Sequence, residues 1–268
     1  MQRKLGVNCD CVKGLDPLQA LDIIKETGFD CFFTGTRITD LATVTAIKEK
    51  AEKLGLSYDF IHAPYKGVNA MWSEDDTTKA FMDSIKQAID NAATACVPQI
   101  ILHASSTWTP PKMSEDGFAR YDELVDYATR KNVAIAFENM RVIDHCSALL
   151  ERYKNNPYAV FCYDNGHEHC NTPEISYLEK YGKRTRCTHL HDNLGKLDNY
   201  LTVDGDLHLL PFDGNFDFAQ MIKRMDENGY TGALTMEIFN TTREDYKTLT
   251  AEEFFRTAYE RLKKISEM

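Results

Sequence analysis

The sequence predicts an α/β fold, a closed (β/α)8 TIM barrel formed by one domain over residues 1–268. Three observations carry that expectation. Short apolar runs alternate eight times with segments of helical periodicity. Runs such as VAIAF at 133–137 and GALTM at 232–236 are continuously apolar, as strands of a parallel sheet covered by helices must be. Ionisable residues recur where these runs end, and a closed barrel gathers every strand C-terminus around one mouth, whereas an open doubly wound sheet does not require each strand to contribute.

The first strand is read at 5–9 (LGVNC), followed by a helix capped by Asp16 with Pro17 in its first position and Gly28 at its end. A second strand at 30–34 (DCFFT) leads to a helix capped by Thr39 or Asp40, whose Val44, Ile47, Ala51 and Leu54 recur at helical spacing until Gly55. The third strand ends at His62, and Ser73 is expected to open the long helix through Phe81, Ile85 and Ile89. The fourth strand, 99–102, runs into His103, and the fifth, 133–137, stops at Glu138, with a helix from Ser114 between them. After a helix over 141–153, the sixth strand at 158–163 ends before Asp164, and a short helix follows Thr172. The seventh strand at 186–190 contains His189, and an irregular stretch is expected over 193–215. The eighth strand at 232–236 stops at Glu237, and Thr250 with Glu253 forms a capping box for the last helix.

A formal net charge of -10 opposes long-range attraction to nucleic acid or anionic lipid, so neither is an expected partner. No window is long and apolar enough for a membrane span, and residues 1–10 lack a signal-peptide core. The eight cysteines are scattered without a CxxC pair and sit beside apolar runs, which fits buried free thiols in a reducing, cytoplasmic setting. Assembly into a homo-oligomer is compatible with the sequence.

The mouth set is His62, His103, Glu138, Asp164, His167, His189, Asp206, His208 and Glu237. Several carboxylates at one sheet edge are costly to ionise without counter-charge, which a divalent cation supplies. Glu138, Asp164, His189 and Glu237 form the first expected metal site, an oxygen-rich set that suits Mn, Zn, Mg or Co. His62, His103, His167, Asp206 and His208 are expected either to complete additional metal positions or to hold substrate oxygens. Trp72 and Asn139 are further expected substrate contacts, although for Trp72 a packed loop anchor competes with a substrate wall.

The motifs IHAPY at 61–65, ILHAS at 101–105, FEN at 137–139, DNGH at 164–167, HLHD at 189–192, DGDLHLLPFDGNFD at 204–217 and MEI at 236–238 occur in this order on successive strands. Together they resemble the xylose-isomerase-like barrel superfamily, which includes sugar phosphate isomerases and epimerases and the endonuclease IV family of apurinic-site nucleases. The resemblance to the epimerases implies that Glu138, Asp164, His189 and Glu237 bind one divalent metal, that the two glutamates move protons, and that His167 contacts a substrate oxygen. The resemblance to the endonucleases implies that all nine mouth residues ligate a trinuclear zinc centre. Gly195 and Lys196 stand where the epimerases commonly carry an arginine, while Arg37, Tyr65 and Lys66 occupy loops resembling those that penetrate DNA. The resemblance thus implies a metal-dependent sugar isomerase or epimerase working by enediolate-type proton transfer, with a small sugar-like molecule as its expected partner. An apurinic-site phosphodiesterase and a non-catalytic sugar-binding barrel are the alternatives.

Overall fold

The computed structural model describes residues 3–74 and 76–268. Eight parallel strands, β1 (Leu5–Asn8), β2 (Cys31–Thr34), β3 (Ser57–His62), β4 (Gln99–His103), β5 (Ala134–Glu138), β6 (Ala159–Asp164), β7 (Thr185–His189) and β8 (Leu234–Met236), pair in the order β7-β6-β5-β4-β3-β2-β1-β8. The sheet closes beyond the end of β7. There the amide of Leu190 donates to the Thr235 carbonyl (2.9 Å), and the amide of Glu237 donates to the Leu190 carbonyl (3.1 Å). Thr188 extends the seam with its side chain, because Oγ1 accepts the Thr235 amide at 2.9 Å.

Helices α1 (Pro17–Thr27), α2 (Leu41–Leu54), α3 (Thr78–Thr94), α4 (Glu115–Arg130), α5 (Asp144–Arg152), α6 (Asn165–Asn171), α7 (Tyr177–Tyr181), α8 (Phe218–Glu227) and α9 (Ala251–Ser266) cover the outside. Local chemistry sets their ends: Asp16 accepts two amides at the start of α1, Asp40 caps α2, and Gly28 and Gly55 end these helices with left-handed backbones. Thr250 and Glu253 make the expected capping box on α9. Two expectations are corrected. Helix α3 begins at Thr78 rather than at Ser73, because a 3₁₀ turn over Val68–Trp72 first carries Trp72 inward and Thr78 Oγ1 donates to the Ala70 carbonyl at 2.9 Å. Helix α6 starts directly at the end of β6, ahead of the short helix expected after Thr172, because the Asp164 carboxylate caps the His167 amide.

Core packing falls into two parts with different roles. Most apolar residues lie between strands and helices, whereas Phe33, Phe60, Ile101, Ala134, Ala136, Val160, Cys162 and Cys187 form a separate cluster inside the barrel. Side chains alternate along a strand, so the residue two places beyond an inward one also faces inward. Phe60 therefore predicts the direction of His62, Ile101 that of His103, Ala136 that of Glu138, Cys162 that of Asp164, and Cys187 that of His189. The interior cluster is thus the floor beneath the chemistry. Seven of the eight free cysteines are buried and Cys96 is exposed.

Candidate active site

Five strand-end residues converge above the Phe33 and Phe60 rings, which stack on each other at 4.3 Å and pack against the His189 imidazole at 5.2 and 5.5 Å. Glu138 is the centre of the group. Its Oε1 lies 3.0 Å from His189 Nδ1 and 3.4 Å from His167 Nδ1, and its Oε2 lies 3.0 Å from His103 Nε2 and 3.6 Å from His62 Nε2. His189 Nδ1 is also 3.5 Å from Glu237 Oε2 and 3.8 Å from Asp164 Oδ2. Strand register produces part of this convergence directly, since His103 is paired with Glu138 and Asp164 with His189.

A second group stands beside the first. Asp206 Oδ2 lies 3.0 Å from His167 Nε2 and 3.2 Å from His208 Nε2, and its Oδ1 lies 3.5 Å from His191 Nε2. Asp206 and His208 lie on the irregular stretch after β7, so the fold must anchor that stretch. Asp192 does so: its Oδ1 accepts the amides of Asn193 and Phe216, and its Oδ2 accepts that of Phe212. Gly214 is required beside it, since an added Cβ would lie 2.2 Å from the Asn193 carbonyl oxygen.

Charge at the site is internally compensated. Burial works against ionisation of Glu138, yet His189 and His103 prevail and hold it well below the usual carboxylate range. Burial alone would also lower His189 and His208, but Glu237 and Glu138 raise His189 to about 10, and Asp206 with Glu237 raises His208 to about 10. His103 goes the other way, because desolvation outweighs the Glu138 charge. His189 and His208 therefore stabilise the metal-free protein fully below about pH 6.5, and that contribution is lost as pH rises toward about 10. Thermal unfolding with chelator present is expected to show a falling transition temperature across this interval; a flat profile would remove the charge-compensation account.

These residues fit a divalent cation on grounds independent of charge. Glu138 Oε2, Asp164 Oδ2 and Asp206 Oδ1 are buried oxygens without a hydrogen-bond partner among the described residues. His62 Nδ1 lies 2.8 Å from the Ala63 carbonyl, His167 Nδ1 lies 2.9 Å from that of Asn139, and His208 Nδ1 lies 2.9 Å from that of Glu237. An imidazole that donates from Nδ1 to a carbonyl presents the Nε2 lone pair to the site, the usual arrangement behind a metal ligand. Ligand atoms of Glu138, Asp164, His189 and Glu237 lie within 4.8 Å of one another, as do those of His62, His103 and Glu138, and those of His191, Asp206 and His208.

The site opens into a cavity of about 490 Å³, a size suited to a small molecule, lined by His62, His103, Glu138, His167, Asp206, His208 and Glu237 among others. Asp164 and His189 lie beneath it, fully buried. Two expected substrate contacts are placed elsewhere. Trp72 is a packed anchor: it is buried, donates from Nε1 to the Ala104 carbonyl at 2.7 Å and packs against Phe118, Tyr121 and His145. Asn139 is turned onto the backbone of Asp164, donating to its carbonyl and accepting its amide, both at 2.8 Å, so it positions the β6 end. Conversely, sequence reading passed over Asp10, Met140 and Arg141, which line the cavity. The two-residue alternation applied past Asn8 would have found Asp10.

Among the described residues, no helix is long and apolar enough to cross a membrane. The family model described as xylose isomerase-like TIM barrel matches residues 21–265. An uncharacterised protein of Sinorhizobium fredii is 28% identical over 75% of this chain, which spans 65% of that relative's length. An uncharacterised protein of Methanocaldococcus jannaschii is 23% identical over 81% of this chain and 78% of its own. Among solved structures, a xylose isomerase domain protein from Planctomyces limnophilus superposes with a TM-score of 0.78 at 17% identity, covering 99% of this chain and 98% of that one. A D-allulose 3-epimerase from Methylomonas sp. superposes with a TM-score of 0.74 at 18% identity over 98% of each chain. With its eight-stranded parallel barrel and a match to the family model over nearly its whole length, this chain belongs to the xylose isomerase-like TIM barrel family.

Proposed function

We propose that this protein is a divalent-metal-dependent isomerase or epimerase acting on a sugar or related polyhydroxy carbonyl compound by enediolate-type proton transfer. The observation that carries this reading is the convergence of Glu138, Asp164, His189 and Glu237 below a small cavity into which both glutamates project. The sugar epimerases among the structural neighbours, named for allulose, tagatose and ribulose, lend it support at the level of fold. Mn, Zn, Mg and Co all suit this mixed oxygen and nitrogen set. A bound cation would supply Lewis-acid polarisation of adjacent carbonyl and hydroxyl oxygens.

The chain's own groups divide the remaining work. Glu138 and Glu237, from β5 and the end of β8, are the proton-transfer pair, one abstracting the proton beside the carbonyl and the other returning it. Glu138 is enclosed by four imidazoles and contributes foremost to holding the cation, whereas the side chain of Glu237 is 13% exposed and is the freer base. His167, fixed by Asn139 and Asp206, faces the cavity and steadies a developing oxygen charge. The buried thiols accord with a reducing compartment such as the cytoplasm.

The test is exchange of the substrate's α-proton into deuterated solvent, followed by NMR over a panel of ketoses. Exchange is expected with added manganese and is expected to stop on chelation. Its absence with every metal and ketose would overturn the reading, and binding without exchange would leave a non-catalytic sugar-binding barrel. A second reading, an endonuclease IV-like phosphodiesterase with three zinc ions, is favoured by the separate ligand groups around His62 and Asp206. It requires about three metals per chain and incision of an abasic duplex.

A further inference from the structure

Two cations at the cavity rim have no role in the chemistry derived above. Arg37 follows β2 and Lys66 follows β3, neighbouring strands, and both side chains line the cavity. Both residues are exposed, and among the described residues neither takes part in an ion pair or a hydrogen bond of its side chain. The third rim cation differs, because Arg141 is engaged by Asp204 at 2.6 Å. In a chain of net charge -10, two cavity-facing cations held in no ion pair, with only the Asp10 carboxylate acting on Arg37 through space, are out of keeping with their surroundings. They also sit apart from the expected cation site, since Glu138, Asp164, His189 and Glu237 lie at the strand ends below.

A neutral sugar, such as the allulose and fructose named for the structural neighbours, does not call for full positive charges in the cavity lining. An anionic substituent does. A guanidinium presents a planar fork of donors that matches carboxylate or phosphate oxygens, and an ammonium supplies a point charge beside it. A cation bound at the floor would offset the carboxylates of Glu138, Asp164 and Glu237; of the other carboxylates lining the cavity, Asp204 is paired with Arg141 and Asp206 with His167 and His208, which leaves Asp10 acting on Arg37 through space and no ion-pair partner for Lys66.

We propose that the substrate of this site is an anionic sugar, whose phosphate or carboxylate group is bound at the rim by Arg37 and Lys66, an inference that rests on the isomerase or epimerase reading. The metal-loaded substrate would then span the cavity, with its carbonyl end at the floor and its anionic end between the loops after β2 and β3. This makes Arg37 and Lys66 specificity determinants, distinct from the residues that move protons.

Calorimetric titration of the manganese-loaded protein with matched pairs tests the inference: D-ribulose 5-phosphate against D-ribulose, D-fructose 6-phosphate against D-fructose, and D-tagaturonate against D-tagatose. At least one anionic member is expected to bind about tenfold or more tightly than its neutral parent, the order that one charge-assisted contact supplies. The pair showing the preference identifies phosphate or carboxylate as the group. Arg37→Gln and Lys66→Gln are each expected to remove most of that preference, and because both side chains are exposed the unfolding temperature should not move. Equal binding within every pair, a preference that survives both substitutions, or tighter binding of an abasic duplex than of any anionic sugar would each overturn it. Solvent exchange measured on the same ligands separates the two claims: exchange without anion preference ends this inference alone, and preference without exchange keeps the anion site while ending the isomerase reading.

Discussion

Glu237→Gln is expected to lower the rate of α-proton exchange by roughly 10²–10⁴-fold, the range for loss of a positioned general base, while the protein keeps most of its bound metal. Glu138→Gln is expected to lose exchange to at least the same extent and to lose metal with it. The difference follows from their surroundings. Each glutamate belongs to two of the convergent ligand groups, but Glu138 has imidazole nitrogens of His62, His103, His167 and His189 within 3.6 Å and its side chain is 1% exposed, against 13% for Glu237. The nearest imidazole nitrogens to Glu237 among the described ion pairs are His189 Nδ1 at 3.5 Å and His208 Nδ1 at 3.8 Å. Elemental analysis of purified variants beside NMR exchange rates reads both effects. Full exchange in either variant would sink the assignment of the glutamates as the proton-transfer pair, and metal retained by Glu138→Gln would remove its central place in the site.

Gly166→Ala is expected to cost about 1–3 kcal/mol of stability or more through overpacking, and to disturb the Asp206 group. A Cβ at Gly166 would lie 1.8 Å from His191 Cε1 and 2.3 Å from its Nε2. His191 has little room to retreat. Its ring stacks on His208 at 4.1 Å with planes 21° apart, and its backbone is clamped by Asn165, which donates to its carbonyl and accepts its amide, both at 2.9 Å. For a chain of this size each kcal/mol moves the unfolding temperature by about 2–4 °C, so a shift of a few degrees with weaker metal loading is the expected result. An alanine variant that unfolds at the wild-type temperature with full metal content would show that the ring can move aside. The same contact explains why the NGH of DNGH needs its glycine: the start of α6 must pass directly over an imidazole from the end of β7.

Much of the candidate site was legible in the sequence because the last residue of each apolar run falls at the barrel mouth. Residues ending β3, β4, β5, β6 and β7 were identified as mouth residues from local pattern alone, and all five meet there. Trp72 was not separable in the same way. An aromatic residue after a strand end can wall a cavity or plug a loop, and only the contacts with Ala104 and Tyr121 choose the second. Asp192 shows the same limit. An aspartate at the end of HLHD fits a substrate group and a loop network equally well, and the structure chooses the second, with backbone amide partners from residues 193, 212 and 216.

The sequence by itself determined the alternation of strands and helices, the caps of α1, α2, α4 and α9, and the identity of the polar residues that end β3 to β7. These are local properties, set by side-chain periodicity and by which residues can satisfy a free amide. Only the tertiary structure decided which strand ends stand opposite one another, that Glu138 sits among four imidazoles, that Asp10 and Arg37 share the cavity, and that Trp72 does not. The physical reason is that inward or outward direction follows from strand alternation, but the distance between two inward residues depends on barrel closure and stagger, which bring together positions more than a hundred residues apart.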